Sequence, residues 1–212
     1  FPTYGVYIGR MAGYSETGVY NDTMLGNGAG QYQNLGGIGG TYSYNTNLGY
    51  RAGYTNVTGT SNTYVGNEAG ISRGGASNVA VGADALFGGG AGGITSGAAN
   101  VAVGVTAGAY VSGDNTVHIG AYAGRHASGS YNVFVGVRAG GGGVTSAPYS
   151  TGIYNTAIGY EALYRFTSGQ DNTALGKGAL AYVTSGGSNI GIGYQAGGNT
   201  TTATGNIYIG RS

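Results

Sequence analysis

The chain has 212 residues, of which 49 are glycine and 20 are tyrosine; it lacks cysteine and tryptophan, and only 7% of it is charged, with a formal net charge of +1. Without cysteine, disulfides and thiolate metal sites are excluded. The low charge leaves no basic stripe of the kind that binds the phosphates of nucleic acid. No apolar run approaches the ~20 residues of a membrane-spanning helix, so membrane insertion is not predicted.

A nine-residue pattern recurs twelve times along the chain. It reads Asn-(Thr/Val/Ile)-x-(Val/Ile/Leu)-Gly-x-x-Ala-(Gly/Leu), with clear copies at 78–86, 155–163 and 172–180. Its first glycine, the motif glycine, recurs at Gly9, Gly26, Gly49, Gly66, Gly82, Gly104, Gly120, Gly136, Gly159, Gly176, Gly193 and Gly210. Most spacings are 16 or 17 residues, and three are 22 or 23. A short unit repeated at such a period buries its apolar side only by stacking on its neighbours, which predicts a solenoid.

The residues before each motif glycine alternate with period two, which predicts a short strand in every unit. The slot directly before the glycine (the aliphatic slot) holds Val, Ile or Leu, and the slot two residues earlier (the β-branched slot) holds Val, Thr or Ile. We expect both slots to face the core. The slot between them is variable, so we expect it to face solvent. Its occupants are Tyr7, Met24, Asn47, Tyr64, Ala80, Ala102, His118, Phe134, Ala157, Ala174, Gly191 and Tyr208.

Two further columns follow from stacking. Ala stands three residues after the motif glycine in eleven units, which predicts a tight column where two layers of backbone approach each other. The Asn that begins each motif predicts a hydrogen-bonded ladder, in which Gly5, Asp22 and Thr116 replace it. The rest of each unit is rich in turn-forming Gly, Ser, Asn and Asp. We expect a second short strand before these turns, as at 109–111 and 181–183.

Three units carry Gly-rich insertions, at 36–40, 88–93 and 140–143. They occur in every third unit, so we expect them to emerge along one edge. They are either tolerated surface loops or a place where a ligand or neighbouring fibre binds.

These patterns together predict an all-β fold, a parallel β-solenoid (a narrow β-roll) of about 12 coils with a 16–17-residue period. Residues 1–212 form one repeat domain, which we interpret as a possible segment of a longer fibre. Ordering a 16-residue coil costs roughly 16–30 kcal/mol, and two buried aliphatic side chains return only about 3–6 kcal/mol. A single coil is therefore unstable without its neighbours.

Candidate catalytic groups are sparse. Stacking brings Arg51, Glu68 and Asp84 into one column, where the carboxylates are either an acid–base pair or part of a solvated ladder of Arg–Glu pairs. The only histidines, His118 and His126, are too few for a metal site. We therefore predict no enzymatic activity, no cofactor and no metal site.

Surface chemistry offers two other candidates. The tyrosines are amphipathic and suited to stacking on sugars or on a partner chain, although ordinary surface packing is the simpler explanation. Three sequons make Asn21, Asn56 and Asn199 candidate N-glycosylation sites. Ice binding is disfavoured because the threonines alternate with Val and Ile in a column that we expect to be buried.

The motif resembles sequence repeats of known surface proteins. The segments 77–82, 115–120 and 154–159 resemble the head repeats of trimeric autotransporter adhesins. They look closer still to the Asn-Thr-Ala-Val-Gly-Tyr-x-Ala-Leu repeats of phage tail fibres and bacterial surface proteins. The resemblance implies a β-roll, an extracellular, cell-surface or virion-surface location, and often a homotrimer. The adhesin heads have a shorter repeat unit and are joined to a heptad stalk, which this chain lacks.

The two ends of the repeat array suggest self-association. The first and last strands are near copies without polar caps, and uncapped strand edges pair readily. We expect assembly through these end strands, formed by Val6, Tyr7, Ile8, Ile207, Tyr208 and Ile209. The sequence thus favours a structural subunit of an extracellular fibre or filament, assembled by stacking of coils. The alternative is an adhesin or tail-fibre region that recognises surface glycans.

Overall fold

The computed structural model describes residues 4–15, 21–32, 43–88, 97–142 and 150–212. Within these ranges the chain forms a parallel β-solenoid with one three-residue strand per coil, and the twelve strands pair in chain order in a single sheet. The strands are β1 (Val6–Ile8), β2 (Thr23–Leu25), β3 (Thr46–Leu48), β4 (Thr63–Val65), β5 (Val79–Val81), β6 (Val101–Val103), β7 (Val117–Ile119), β8 (Val133–Val135), β9 (Thr156–Ile158), β10 (Thr173–Leu175), β11 (Ile190–Ile192) and β12 (Ile207–Ile209). The predicted fold class is confirmed.

The strands stay in register across the three long units. Thr23 pairs with Thr46, Val79 with Val101, and Val133 with Thr156, so equivalent motif positions stack throughout. The insertion at 36–40 and all of that at 88–93 except Gly88 lie outside the described residues, whereas only Gly143 of the insertion at 140–143 does.

The predicted second strand is wrong for the described coils. Residues 109–111 and 181–183 lie in a run of turns that follows the motif glycine. Backbone groups in these turns still bond between coils, as in the bond from the Tyr110 N–H to the Phe87 carbonyl, 2.8 Å. An extended strand does not form there because the run contains residues in the left-handed region, such as Tyr110 at φ 62° and Leu180 at φ 50°.

The predicted inside and outside of the strands are reversed. The variable slot is buried, with Tyr64, Ala80 and Phe134 all at 0% exposure, whereas Val81 of the aliphatic slot is 37% exposed. His118, expected on the surface, is also fully buried. Period two requires that the buried Asn and the variable slot share one side of the strand, which places the β-branched and aliphatic slots outside.

The interior is filled by complementary volumes from the two sides of each coil. Where the variable slot holds a large residue, the residue after the motif Ala is glycine; in coils 5, 9 and 10 the slot holds Ala and that residue is Leu. Coil 6 is the exception, with Ala in the slot and Gly108 after the motif Ala, and there the side chains of Leu86 and His118 from the adjacent coils lie within 3 Å of a Cβ on Gly108. A Cβ on Gly70 would lie 2.5 Å from the Tyr64 ring, so the ring occupies the space that Leu86 fills in the next coil. Close packing of this kind leaves little room for either side to change alone.

Two glycine columns let successive coils approach each other. A Cβ on Gly66 would lie 2.5 Å from the Gly82 carbonyl oxygen, and Gly66 also has a φ of 138°. At the turn that precedes the next Asn, a Cβ on Gly152 would lie 2.0 Å from the Gly169 oxygen. Glycine is therefore abundant because backbone packs directly on backbone.

The predicted asparagine ladder is confirmed. The Asn155 Oδ1 accepts the Asn172 N–H at 3.0 Å, and its Nδ2 donates to the Gly169 carbonyl at 2.9 Å. Equivalent bonds link most neighbouring coils, including the one in which Thr116 donates from its N–H and its hydroxyl to Asn100 Oδ1. These buried amides satisfy turn backbone that would otherwise lose its hydrogen bonds to water.

Candidate functional surfaces

The outer side of the sheet is an apolar face two columns wide and twelve strands long. We call it the sheet face; it consists of the β-branched and aliphatic slots. Leu48, Ile119, Ile158 and Leu175 of its aliphatic column are 40–45% exposed. Sequence reasoning missed this surface, although the pairing of large variable-slot residues with glycine was a signal that the variable slot lies inside. It also removes one of the two reasons for disfavouring ice binding, because the threonine column is outside; the alternation of Thr with Val and Ile stands.

The two edges of the sheet are open in the described structure. β1 pairs only with β2, and β12 pairs only with β11. The predicted end residues are exposed there: Val6 is 53%, Ile8 is 57%, Ile207 is 68% and Ile209 is 74% exposed, whereas Tyr7 and Tyr208 are partly buried. Both edges thus present exposed apolar side chains on a strand with only one neighbouring strand.

The charged column is a ladder of ion pairs. Arg51 donates to Glu68 at 2.7 Å, and Arg138 donates to Glu161 at 3.3 Å. The pKa of Asp84 is raised by partial burial and by the neighbouring carboxylate of Glu68. The geometry therefore supports the ion-pair interpretation, in which each exposed pair contributes under about 1 kcal/mol.

Two basic side chains are fully buried in the interior; sequence reasoning placed His118 on the surface and overlooked Arg73. His118 stacks on Phe134 with ring centroids 5.4 Å apart, and neither of its ring nitrogens has a hydrogen-bond partner in the described part of the chain. Burial and the nearby Arg73 lower its pKa to about 3, so the ring is neutral at pH 7. Arg73 is itself buried and donates to the Val111 carbonyl; burial lowers its pKa to about 10.

Tyrosines and cations alternate along the turn side of the coils. Lys177 Nζ lies 5.6 Å from the ring centroids of both Tyr160 and Tyr194, and the Arg165 guanidinium lies 5.1 Å from that of Tyr182. Beside them is a groove of 250 Å³ lined in part by Tyr160, Tyr164, Tyr182 and Lys177. None of its lining residues belongs to the sheet face.

The three candidate glycosylation sites differ in access. Asn199 is exposed and Asn21 is partly buried. Asn56 is fully buried, and its side chain both donates to the Gly59 carbonyl and accepts the Gly59 N–H. Attachment of a sugar at Asn56 is incompatible with the folded coil, and the other two sites remain predictions.

The described residues contain no cluster of three or more metal-ligating side chains. They likewise contain no helix with the length and apolar character needed to cross a bilayer. Comparison with protein-family models, curated proteins and solved structures finds no match. The class of protein that the structure defines is a parallel β-solenoid with an exposed apolar sheet face.

Proposed function

We propose that the chain is a structural subunit of a fibre on a cell or virion surface, built by association of β-solenoid coils. The observation that carries this proposal is the sheet face. It presents on the order of 1,000 Å² of largely apolar surface, which exceeds the 300–600 Å² typical of the largest patch on a monomer and matches one side of a stable interface.

The sheet face is proposed to pack against the same face of other copies. Its two columns contain no charged residue, and Val, Ile, Leu or Thr recurs on neighbouring strands at about 4.8 Å. Three such faces enclose a common aliphatic core in a homotrimer, the arrangement that the motif resemblance implies. The open edges of β1 and β12 would extend the assembly lengthwise, because a parallel ladder continues in the same register.

Light scattering coupled to size-exclusion chromatography tests lateral association. We expect a particle about three times the 20.9 kDa chain mass, or larger where end-to-end growth adds to it. The double variant Val81→Lys, Ile119→Lys places two charges on the sheet face and should dissociate the particle. The matched control Val105→Lys, Val137→Lys adds the same charges at exposed positions after motif glycines and should leave the mass unchanged.

Two results would overturn the proposal. One is a wild-type chain that stays monomeric at hundreds of micromolar, and the other is a lysine pair on the sheet face that leaves the mass unchanged. A monomer that also produced thermal hysteresis would instead make the sheet face an ice-binding surface, since its outer threonines Thr23, Thr46 and Thr63 stand on adjacent strands.

A further inference from the structure

We propose that the groove beside Tyr160, Tyr164 and Tyr182 binds an acidic saccharide, with sugar rings on the tyrosines and carboxylates on the surrounding cations. This inference does not depend on the assembly proposed above, because the groove lies on the turn side and has no lining residue from the sheet face.

The groove lies at Gly178, a position without a side chain in the column formed by the second residue after each motif glycine. The second position after the motif glycine has a positive φ in each of coils 1 to 11, and Glu161 (φ 53°) and Gln195 (φ 54°) occupy it on either side of Gly178 (φ 66°). A Cβ on Gly178 would meet only Gln195, at 3.3 Å from its Cγ. The missing side chain leaves a recess between its two neighbours.

A second glycine in the same column shows that the recess is not automatic. At Gly28 a Cβ would lie 3.4 Å from Arg51 Cγ and 3.5 Å from Tyr54 Cδ2. The Arg51 guanidinium lies 4.2 Å from the centroid of the Tyr54 ring, so these two side chains cover the gap. At Gly178 only Gln195 lies within 4 Å of an added Cβ, so the equivalent space is less covered than at Gly28.

The rings and polar groups of the groove suit a sugar. Tyr160 and Tyr182 are 44% and 46% exposed, and a phenol ring offers a flat apolar face for the C–H side of a pyranose together with a hydroxyl for its oxygens. Glu161, Gln195 and Asn199 add acceptors and donors at the wall. Aromatic faces together with convergent polar groups are features of small-ligand sites.

The charges around the groove select an acidic sugar over a neutral one. Residues 120–212 carry five Lys and Arg against two carboxylates, whereas residues 1–119 carry three against five. Lys177 and Arg165 lie beside the groove tyrosines, and the one lining carboxylate, Glu161, is already paired with Arg138. A carboxylated saccharide gains charge-assisted hydrogen bonds here.

Calorimetric titration with hexagalacturonic acid at low ionic strength tests the proposal, with maltohexaose as a neutral chain of equal length and citrate as a polyanion without pyranose rings. We expect hexagalacturonic acid to bind at least tenfold more tightly than either control. Gly178→Gln restores the column and fills the recess, and Tyr164→Ala removes a ring; each should weaken binding at least tenfold. Gly28→Gln, the same change at the covered position, should leave binding unchanged.

Circular dichroism and thermal melting establish that each variant is folded before titration. Failure of the wild type to bind hexagalacturonic acid at millimolar concentration would overturn the proposal. If citrate bound as tightly as hexagalacturonic acid, the groove would attract anions without recognising sugar rings, which would contradict the proposal. If maltohexaose bound as tightly, the groove would not select acidic sugars, which would contradict it as well. Undiminished binding by Gly178→Gln would place the saccharide elsewhere.

Discussion

The ring of Phe134 lies against Gly140 across the interior of coil 8, so closely that a Cβ on Gly140 would lie 2.4 Å from the ring carbons. In the next coil the same two slots hold Ala157 and Leu163, both fully buried. The large side chain thus comes from the strand in one coil and from the turn in the other, and the enclosed volume is kept.

This exchange predicts a compensating pair of substitutions. Phe134→Ala should lower the free energy of unfolding by about 3–5 kcal/mol through the cavity it leaves, and Gly140→Leu should destabilise by overpacking. The double variant should recover most of the loss, because it reproduces the pairing of the adjacent coil. Denaturant unfolding of the four proteins measures the coupling. Losses that simply add would contradict the proposed exchange of volume.

The backbone at position 140 accommodates leucine, although at a cost. Leu86, Leu163 and Leu180 hold the equivalent position at φ 50°, close to the φ of 54° at Gly140. A left-handed non-glycine residue costs about 1–2 kcal/mol. This cost is present in both Gly140→Leu and the double variant, so it cancels in the coupling energy, which reports packing against Phe134.

A second prediction concerns the buried His118. Its pKa is about 3 in the folded chain, against an ordinary value of 6.5, because burial and Arg73 disfavour the imidazolium. The unfolded chain binds a proton that the folded chain does not, so stability is full above pH 6.5 and falls as the pH drops toward 3. The slope attributable to this one group is at most about 1.4 kcal/mol per pH unit.

His118→Phe isolates that contribution. Phenylalanine occupies the same slot in the next coil, and it does not titrate. His126, whose pKa is also lowered by burial and by Arg125, remains in both proteins and cancels in the comparison. Unfolding measured at pH 7.5 and pH 4.5 should show a smaller acid loss for the variant. An unchanged loss would mean that His118 becomes protonated without unfolding the coil.

A third prediction concerns the asparagine ladder. Asn155→Ala removes the acceptor for the Asn172 N–H and the donor to the Gly169 carbonyl, both buried. Because buried polar groups without partners are costly, we expect a loss of about 2–4 kcal/mol in unfolding free energy. Gln170→Ala, an exposed change in the adjoining turn, serves as the control and should stay within about 0.5 kcal/mol. If Asn155→Ala and Gln170→Ala were equally stable, the asparagine ladder would not be a source of stability.

A fourth prediction addresses the open edge of β12. In the preceding strand the Ile190 N–H donates forward to the Asn206 carbonyl, so the equivalent Ile207 N–H points to the unpaired edge. Ile207→Pro removes that donor without breaking a ladder bond within the chain. We expect the variant to keep the lateral oligomer but to lose filaments in negative-stain images. Filaments of unchanged length would show that this edge takes no part in growth.

The repeat made the architecture predictable, whereas the side of the strand that faces inward was missed. The fixed spacing of the motif glycines and the β-branched slots predicted the strand positions and the parallel register. The Asn that begins each motif predicted the asparagine ladder. The usual rule that Val and Ile face the core failed because the interior of this roll is too narrow for a uniform aliphatic column. The strand side supplies a small residue where the opposite turn supplies Leu, as at Ala157 and Leu163, and a larger one such as Phe134 where the turn has glycine. The outer Val and Ile satisfy the sheet's preference for β-branched residues.

Of the candidate sites, one could be predicted from the sequence and one could not. The Arg51–Glu68 ladder follows from column spacing and was predictable. The groove beside Gly178 was not, because its opening depends on how neighbouring tyrosines and cations fold over the missing side chain. At Gly28 the same sequence feature gives a covered surface.

Cryo-electron microscopy of the protein in its associated form tests the central claim most directly. The account predicts rods with a continuous strand repeat near 4.8 Å, in which the columns containing Val81 and Ile119 meet those of other copies and exclude water. Density that shows those columns inside each coil, or facing solvent in a fully assembled particle, would contradict it.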